Sequence, residues 1–194
     1  MIRMFSLGSA VFVLAVMGLS PAAHALHLEF TGTIDGVIGT PPAPFADIMA
    51  GDTWTVSVDV DDAAMDQNVD ADAGSYLLTS LTLTIDGAME STTIGQVAIS
   101  NGPDNDTFAV LASLPTPIPD YTIGVTLMDS TESVFSSDAL PSSVDPADFD
   151  FDVFSINGLT GGFTVTGSLA PVPAPASIAP LLVGGALAIG RRRR

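Results

Sequence analysis

Apolar and polar residues alternate with a period of two along much of this chain, the pattern of a strand with one face buried. Between Thr53 and Val60, Trp54, Val56, Val58 and Val60 share one face while Thr53, Thr55, Ser57 and Asp59 share the other. Tyr121, Ile123, Val125 and Leu127 repeat the arrangement. Shorter versions occur at Leu28/Phe30, Leu81/Leu83/Ile85, Val97/Ile99, Phe108/Val110, Phe149/Phe151/Val153 and Phe163/Val165. Thr and Val suit pleated strands, and no long stretch between Leu26 and Leu169 carries helical spacing.

Turn chemistry separates these segments: Thr40-Pro41-Pro42-Ala43-Pro44, Asp86-Gly87, Asn101-Gly102-Pro103, Pro115 to Pro119, Asn157-Gly158 and Gly161-Gly162. Many short antiparallel strands with frequent breaks predict an all-β fold, a single antiparallel β-sandwich of jelly-roll or immunoglobulin-like type. A closed barrel is the lesser alternative. An outer-membrane barrel is not expected, because such barrels need an apolar outer band and aromatic girdles, and aromatics here are 7%.

Both ends depart from the alternating pattern. Residues 1–25 contain Arg3, the apolar run Phe5 to Leu19, and Ala23-His24-Ala25, the layout of a secretory signal cleaved after Ala25, with Ala23 and Ala25 as its small residues. This predicts export through the Sec translocon and cutting by signal peptidase. Residues 170–194 read Ala170-Pro171-Val172-Pro173-Ala174-Pro175, then the apolar stretch Ala176 to Gly190, then Arg191, Arg192, Arg193 and Arg194. As a helix the apolar stretch reaches about 22 Å, short of a hydrocarbon core of about 30 Å. The arginines are expected to stay cytoplasmic, with the rest of the chain outside. Two short hydrophobic signal helices are therefore expected to flank one domain at 26–169.

Charge sharpens this division. The net charge is −17, and the only Lys or Arg residues are Arg3 and the terminal four, so 22 acidic residues share the stretch between them with no basic partner except His. Such a body repels phosphate backbones and anionic lipids, which excludes nucleic acid as a partner. With 47% hydrophobic residues it is nonetheless apolar enough to fold, and without cysteine it does so without disulfides.

Val172-Pro173-Ala174-Pro175, the apolar segment and the terminal arginines together resemble the PEP-CTERM sorting signal of Gram-negative bacteria. Ala174 stands where that family's usual motif has Glu. The resemblance implies an inner-membrane intermediate, an exosortase-like processing enzyme, delivery to the cell surface or beyond, and association with exopolysaccharide. Gly51-Asp52-Thr53-Trp54 through Val60-Asp61, with the Asp-rich loop and Gly74-Ser75-Tyr76 after it, also resembles a stretch found in exported proteins with this tail.

Candidate chemistry is sparse. Asp59, Asp61, Asp62, Asp66, Asp70 and Asp72, with Asn68 among them, offer hard oxygen ligands suited to Ca²⁺, although the spacing is not that of an EF-hand, and a solvated acidic loop is the simpler expectation. Asp104-Asn105-Asp106 is a second such group, and Asp145/Asp148/Asp150/Asp152 a third. In the third, Asp148, Asp150 and Asp152 are expected on a solvent face opposite Phe149, Phe151 and Val153. No catalytic residue is assigned: Cys and Lys are lacking between the two ends, and His27, the one imidazole left after signal cleavage, is expected to be mobile near the new terminus. The chain is accordingly read as a non-enzymatic surface or matrix protein. The alternatives are a carbohydrate-binding module and a two-carboxylate glycoside hydrolase.

Overall fold

Trp54, Val56, Val58 and Val60 are all buried on one side of their strand, as their alternation requires, and the strands on either side bury matching faces. The computed structural model describes residues 25–114, 121–158 and 162–170. Within them lie β1 (Ala25–Ile38), β2 (Thr53–Asp61), β3 (Ala73–Ile85), β4 (Ala88–Thr92), β5 (Gly95–Asn101), β6 (Asp106–Leu114), β7 (Tyr121–Asp129), β8 (Phe151–Gly158) and β9 (Thr164–Leu169).

Every pairing is antiparallel, and the sheet closes on itself in the order β2-β1-β9-β8-β7-β6-β5-β3, with β3 returning to β2. The result is a closed barrel of eight strands, not the expected sandwich. Alternation alone is the same in both architectures. What closes the ring is the pairing of β1 with β9, from Gly32 opposite Leu169 to Ile38 opposite Thr164, between segments far apart in sequence.

β4 and β5 follow the same edge of β3, β4 opposite Leu81–Ile85 and β5 opposite Ala73–Leu77, so they act as one strand interrupted at Thr93 and Ile94. The barrel interior is filled by side chains, with Phe30, Trp54, Leu83, Phe108, Tyr121, Val125 and Phe154 among those with almost no exposure. Gly32 and Gly167 face this interior beside Trp54: a Cβ on Gly32 would fall on the Ser168 carbonyl and the indole, and one on Gly167 would come within 2.6 Å of the Thr33 carbonyl oxygen. These two glycines make room for the largest core side chain.

The flanking helices expected at the termini fall at 1–24 and 171–194, outside the described residues. Among the described residues the helical structure is one 3₁₀ turn, Pro146–Asp148, and no helix is long and apolar enough to cross a membrane.

The turn's surroundings overturn another expectation. Phe154 and Ile156 set the inward phase of β8, which turns Asp152 to the inner side and leaves Phe151 outward and 51% exposed. Asp148 and Asp150 come before β8 and are exposed as expected, whereas Asp152 is half-buried, because two bulky residues later in the strand fix its phase.

Candidate functional site

The segment 130–150 carries no strand and crosses the barrel end at which β7 finishes and β8 begins. Phe135, Leu140, Val144 and Phe149 pack from it against the core, with the rings of Phe135 and Phe149 5.8 Å apart. Two buried aspartates hold this strap in place. Asp106, fully buried, accepts from the backbone N–H groups of Val134 and Phe135 at 2.9 and 2.8 Å. The Asn101 amide, with its oxygen toward the Ser137 N–H, donates to the other Asp106 oxygen at 3.1 Å.

Asp129 accepts from the N–H and hydroxyl of Thr131 and of Ser133. The Ser133 and Thr131 backbone N–H groups, then the Thr131 hydroxyl, hold its carboxyl down to about 2. Both carboxylates are thus satisfied by neutral donors, which fits a body that has no Lys or Arg. Neither carboxylate is left free to act on a substrate. Asp106 came from the second candidate group; of its neighbours, Asp104 is exposed and Asn105 accepts from the Thr107 hydroxyl at 2.9 Å.

The six aspartates of the first candidate group are spread along β2 and the loop after it, and among the described residues no three His, Cys, Asp or Glu side chains gather as a metal would require. Several carboxylates are spent on their own loop. Asp61 accepts from the Ala63 N–H at 2.9 Å. Asp66 accepts from the N–H groups of Ser75 and Asn68 at 2.7 and 2.8 Å, and these bonds, Ser75 first, lower its carboxyl below the usual range. Asn68 turns its own side-chain oxygen to the Val69 and Asp70 N–H groups. Asp62, Asp70 and Asp72 are exposed.

Asp59 differs. On the outer wall it accepts from the Ser80 hydroxyl at 2.7 Å and meets Nδ1 of His27 at 2.8 Å, and these contacts, Ser80 first, lower its carboxyl. His27 is therefore fixed in β1 opposite Asp59, not mobile as the sequence suggested. Three residue types of a hydrolase are present, but the carboxylate sits between serine and imidazole. A nucleophilic triad needs the imidazole in the middle, next to the hydroxyl, so this arrangement clips β1, β2 and β3 together and does not activate Ser80.

In the third group, Asp145 caps the 3₁₀ turn through the Ala147 N–H at 3.0 Å, and Asp148 lies within the turn. Asp150 accepts from the Ser130 N–H and hydroxyl, and Asp152 from the Leu169 N–H at 2.9 Å.

Surface aromatics that could stack on sugar rings are scarce. Trp54, Tyr76 and Tyr121 are all buried. Tyr121 packs edge-on against Phe45 and Phe163, burial pushes its phenol up, and its hydroxyl has no hydrogen-bond partner among the described residues. A groove of about 450 Å³ does lie on the outer wall, where the β4/β5 interruption and Gly95 leave room beside Leu77, Ile94 and Leu111. It offers apolar and hydroxyl contacts with no charged group. No family model, curated protein or solved structure matches this chain. The residues expected to form a sorting signal, Val172, Pro173, Ala174, Pro175 and Arg191 to Arg194, and Ala23 of the expected cleavage site lie outside the described residues, whereas Ala25 opens β1.

Proposed function

We propose that the chain is an exported, non-enzymatic surface or matrix protein of a Gram-negative bacterium, sorted by an exosortase-type system and associated with exopolysaccharide. The observation that carries this reading is the division of charge: all five Lys and Arg residues lie at the two apolar ends, and all 22 acidic residues lie between them. A chain built this way is oriented across a membrane by its ends, with the anionic part on the far side. The non-enzymatic part is supported by a filled barrel whose two buried carboxylates, Asp106 and Asp129, are engaged by neutral donors of the strap. A glycan partner would be neutral, or anionic and bridged by divalent cations, because the body offers no Lys or Arg.

The test is processing in the host. With Pro173 and Pro175 both replaced by Ser, the protein is expected to stay in the inner membrane with its tail uncut, while the natural chain loses its tail. Equal tail removal from both would refute the sorting role.

A further inference from the structure

The bond at which the signal is expected to be cut, between Ala25 and Leu26, lies inside a paired strand. Ala25 and Leu26 open β1 opposite Asp61 and Val60 of β2, and the register runs without a shift from there to Thr33 opposite Thr53. Successive N–H groups of a strand point to opposite edges. The Ile34 N–H donates toward β2, to the Asp52 carbonyl at 2.8 Å, and the Gly51 N–H donates back to the Ile34 carbonyl at 2.8 Å. Leu26 lies an even number of residues earlier on β1, so its N–H points toward β2 as well, at Val60. That nitrogen belongs to the bond to be cut.

Both sides of the bond are held. Leu26 packs partly against the core, and the next residues of its phase, Leu28 and Phe30, are buried. His27 meets Asp59 across the strand pair at 2.8 Å, and the Ser80 hydroxyl of β3 donates to the same carboxylate at 2.7 Å. Opposite Ala25, the Asp61 carboxylate accepts from the Ala63 N–H at 2.9 Å, which fixes the turn that follows β2. The start of β1 is therefore tied to two further strands, unlike the loose segments at which proteases usually nick a folded chain.

Hydrolysis of this bond adds the hydroxyl of a water to the Ala25 carbonyl carbon and the remaining proton to the Leu26 nitrogen, which becomes the new amino terminus. A protease takes its substrate as an extended segment lying along its own backbone, so a strand already paired with a neighbour has to open first.

We propose that the folded barrel conceals the Ala25–Leu26 bond, so that the signal is removed before β1 closes on β2, or from chains in which that pairing has opened. Folding and cutting then compete. The bond is accessible until β2, which follows it in the chain, has arrived, and a chain that folds first keeps its signal. The proposal rests on reading residues 1–25 as a cleaved signal.

The test incubates the folded full-length chain in detergent micelles with a purified Gram-negative signal peptidase, and mass spectrometry reads the product that begins at Leu26. A peptide of residues 1–40, which lacks β2, serves as the unpaired substrate. The folded chain is expected to be cut on the order of tenfold or more slowly than the peptide. D59A, which frees His27 without altering the segment that is cut, should be cut faster than the natural chain. Circular dichroism checks that D59A is folded; if it is not, S80A, which removes one donor to Asp59, takes its place. Cutting of the folded natural chain at the rate of the peptide overturns the proposal, as does equally slow cutting of the natural chain and the folded variant, because the protection would then not come from this pairing. A peptide that is not cut between Ala25 and Leu26 overturns the signal reading itself and leaves the pairing of β1 with β2 standing.

Discussion

The indole of Trp54 on β2 stacks on the ring of Phe154 on β8, with centroids 4.1 Å apart and planes inclined by 14°. The two strands lie on different sides of the barrel, separated by β1 and β9, so the contact ties the interior together across its width. The Trp54 Nε1 donates to the Thr33 carbonyl at 3.2 Å, which satisfies the one polar atom of the ring.

Truncating this stack should cost about 3 to 5 kcal/mol for W54A, the usual penalty for an aromatic removed from a packed core. Urea unfolding measures it. G167V should also destabilise the protein strongly, because added carbon atoms would enter the space of the indole and the Thr33 carbonyl. If G167V unfolds at the same urea concentration as the natural chain, the glycine is not making that space.

Asp106 joins the strap to the barrel end, so D106A should leave the Val134 and Phe135 N–H groups without acceptors and cost about 2 to 4 kcal/mol. Hydrogen exchange should show the loss first at those two amides, with β2 and β3 protected as before. Uniform loss of protection across the barrel would show that the strap does not open on its own.

Asp129 gives a pH dependence with a definite sign. Its folded carboxyl, at about 2, lies below the ordinary 3.8, so its contribution to stability is present above about pH 4 and is lost as pH falls toward 2. Replacing Thr131 by Val removes the hydroxyl donor and should raise the carboxyl toward 3.8, as read by NMR titration of the Asp129 side-chain carbon. An unmoved titration would remove Thr131 from the cause.

Salt should stabilise the body by screening its carboxylates, and calcium and magnesium should raise Tm by similar amounts, because a diffuse ion atmosphere does not select between them. A much larger shift with calcium, reversed by EDTA, would mean that Asp59, Asp61, Asp62, Asp66, Asp70 and Asp72 converge when the ion binds.

The strand faces of β2, β6 and β7 were legible in the sequence because large apolar residues recur there at every second position. The closure was not, since nothing local in Gly32 to Ile38 shows that Thr164 to Leu169 will lie beside it. In β8 Phe154 with Ile156 fixed the phase and left Phe151 outward, whereas Phe149, just before the strand, packs against the core. Asp106 and Asp129 were the hardest to read. A buried aspartate satisfied by backbone N–H groups has the same sequence signature as an exposed one, and its donors at 131–135 are known only once the strap is in place. His27 owes its fixed position to Asp59, a partner on another strand, in the same way.

The central claim is that an anionic barrel is delivered beyond the inner membrane with both apolar ends removed. Intact-mass analysis of the native protein from its host tests this most directly. The account predicts a chain that begins at Leu26 and lacks the arginine cluster, recovered outside the cytoplasm. A full-length chain of 194 residues in the cytosol would contradict it.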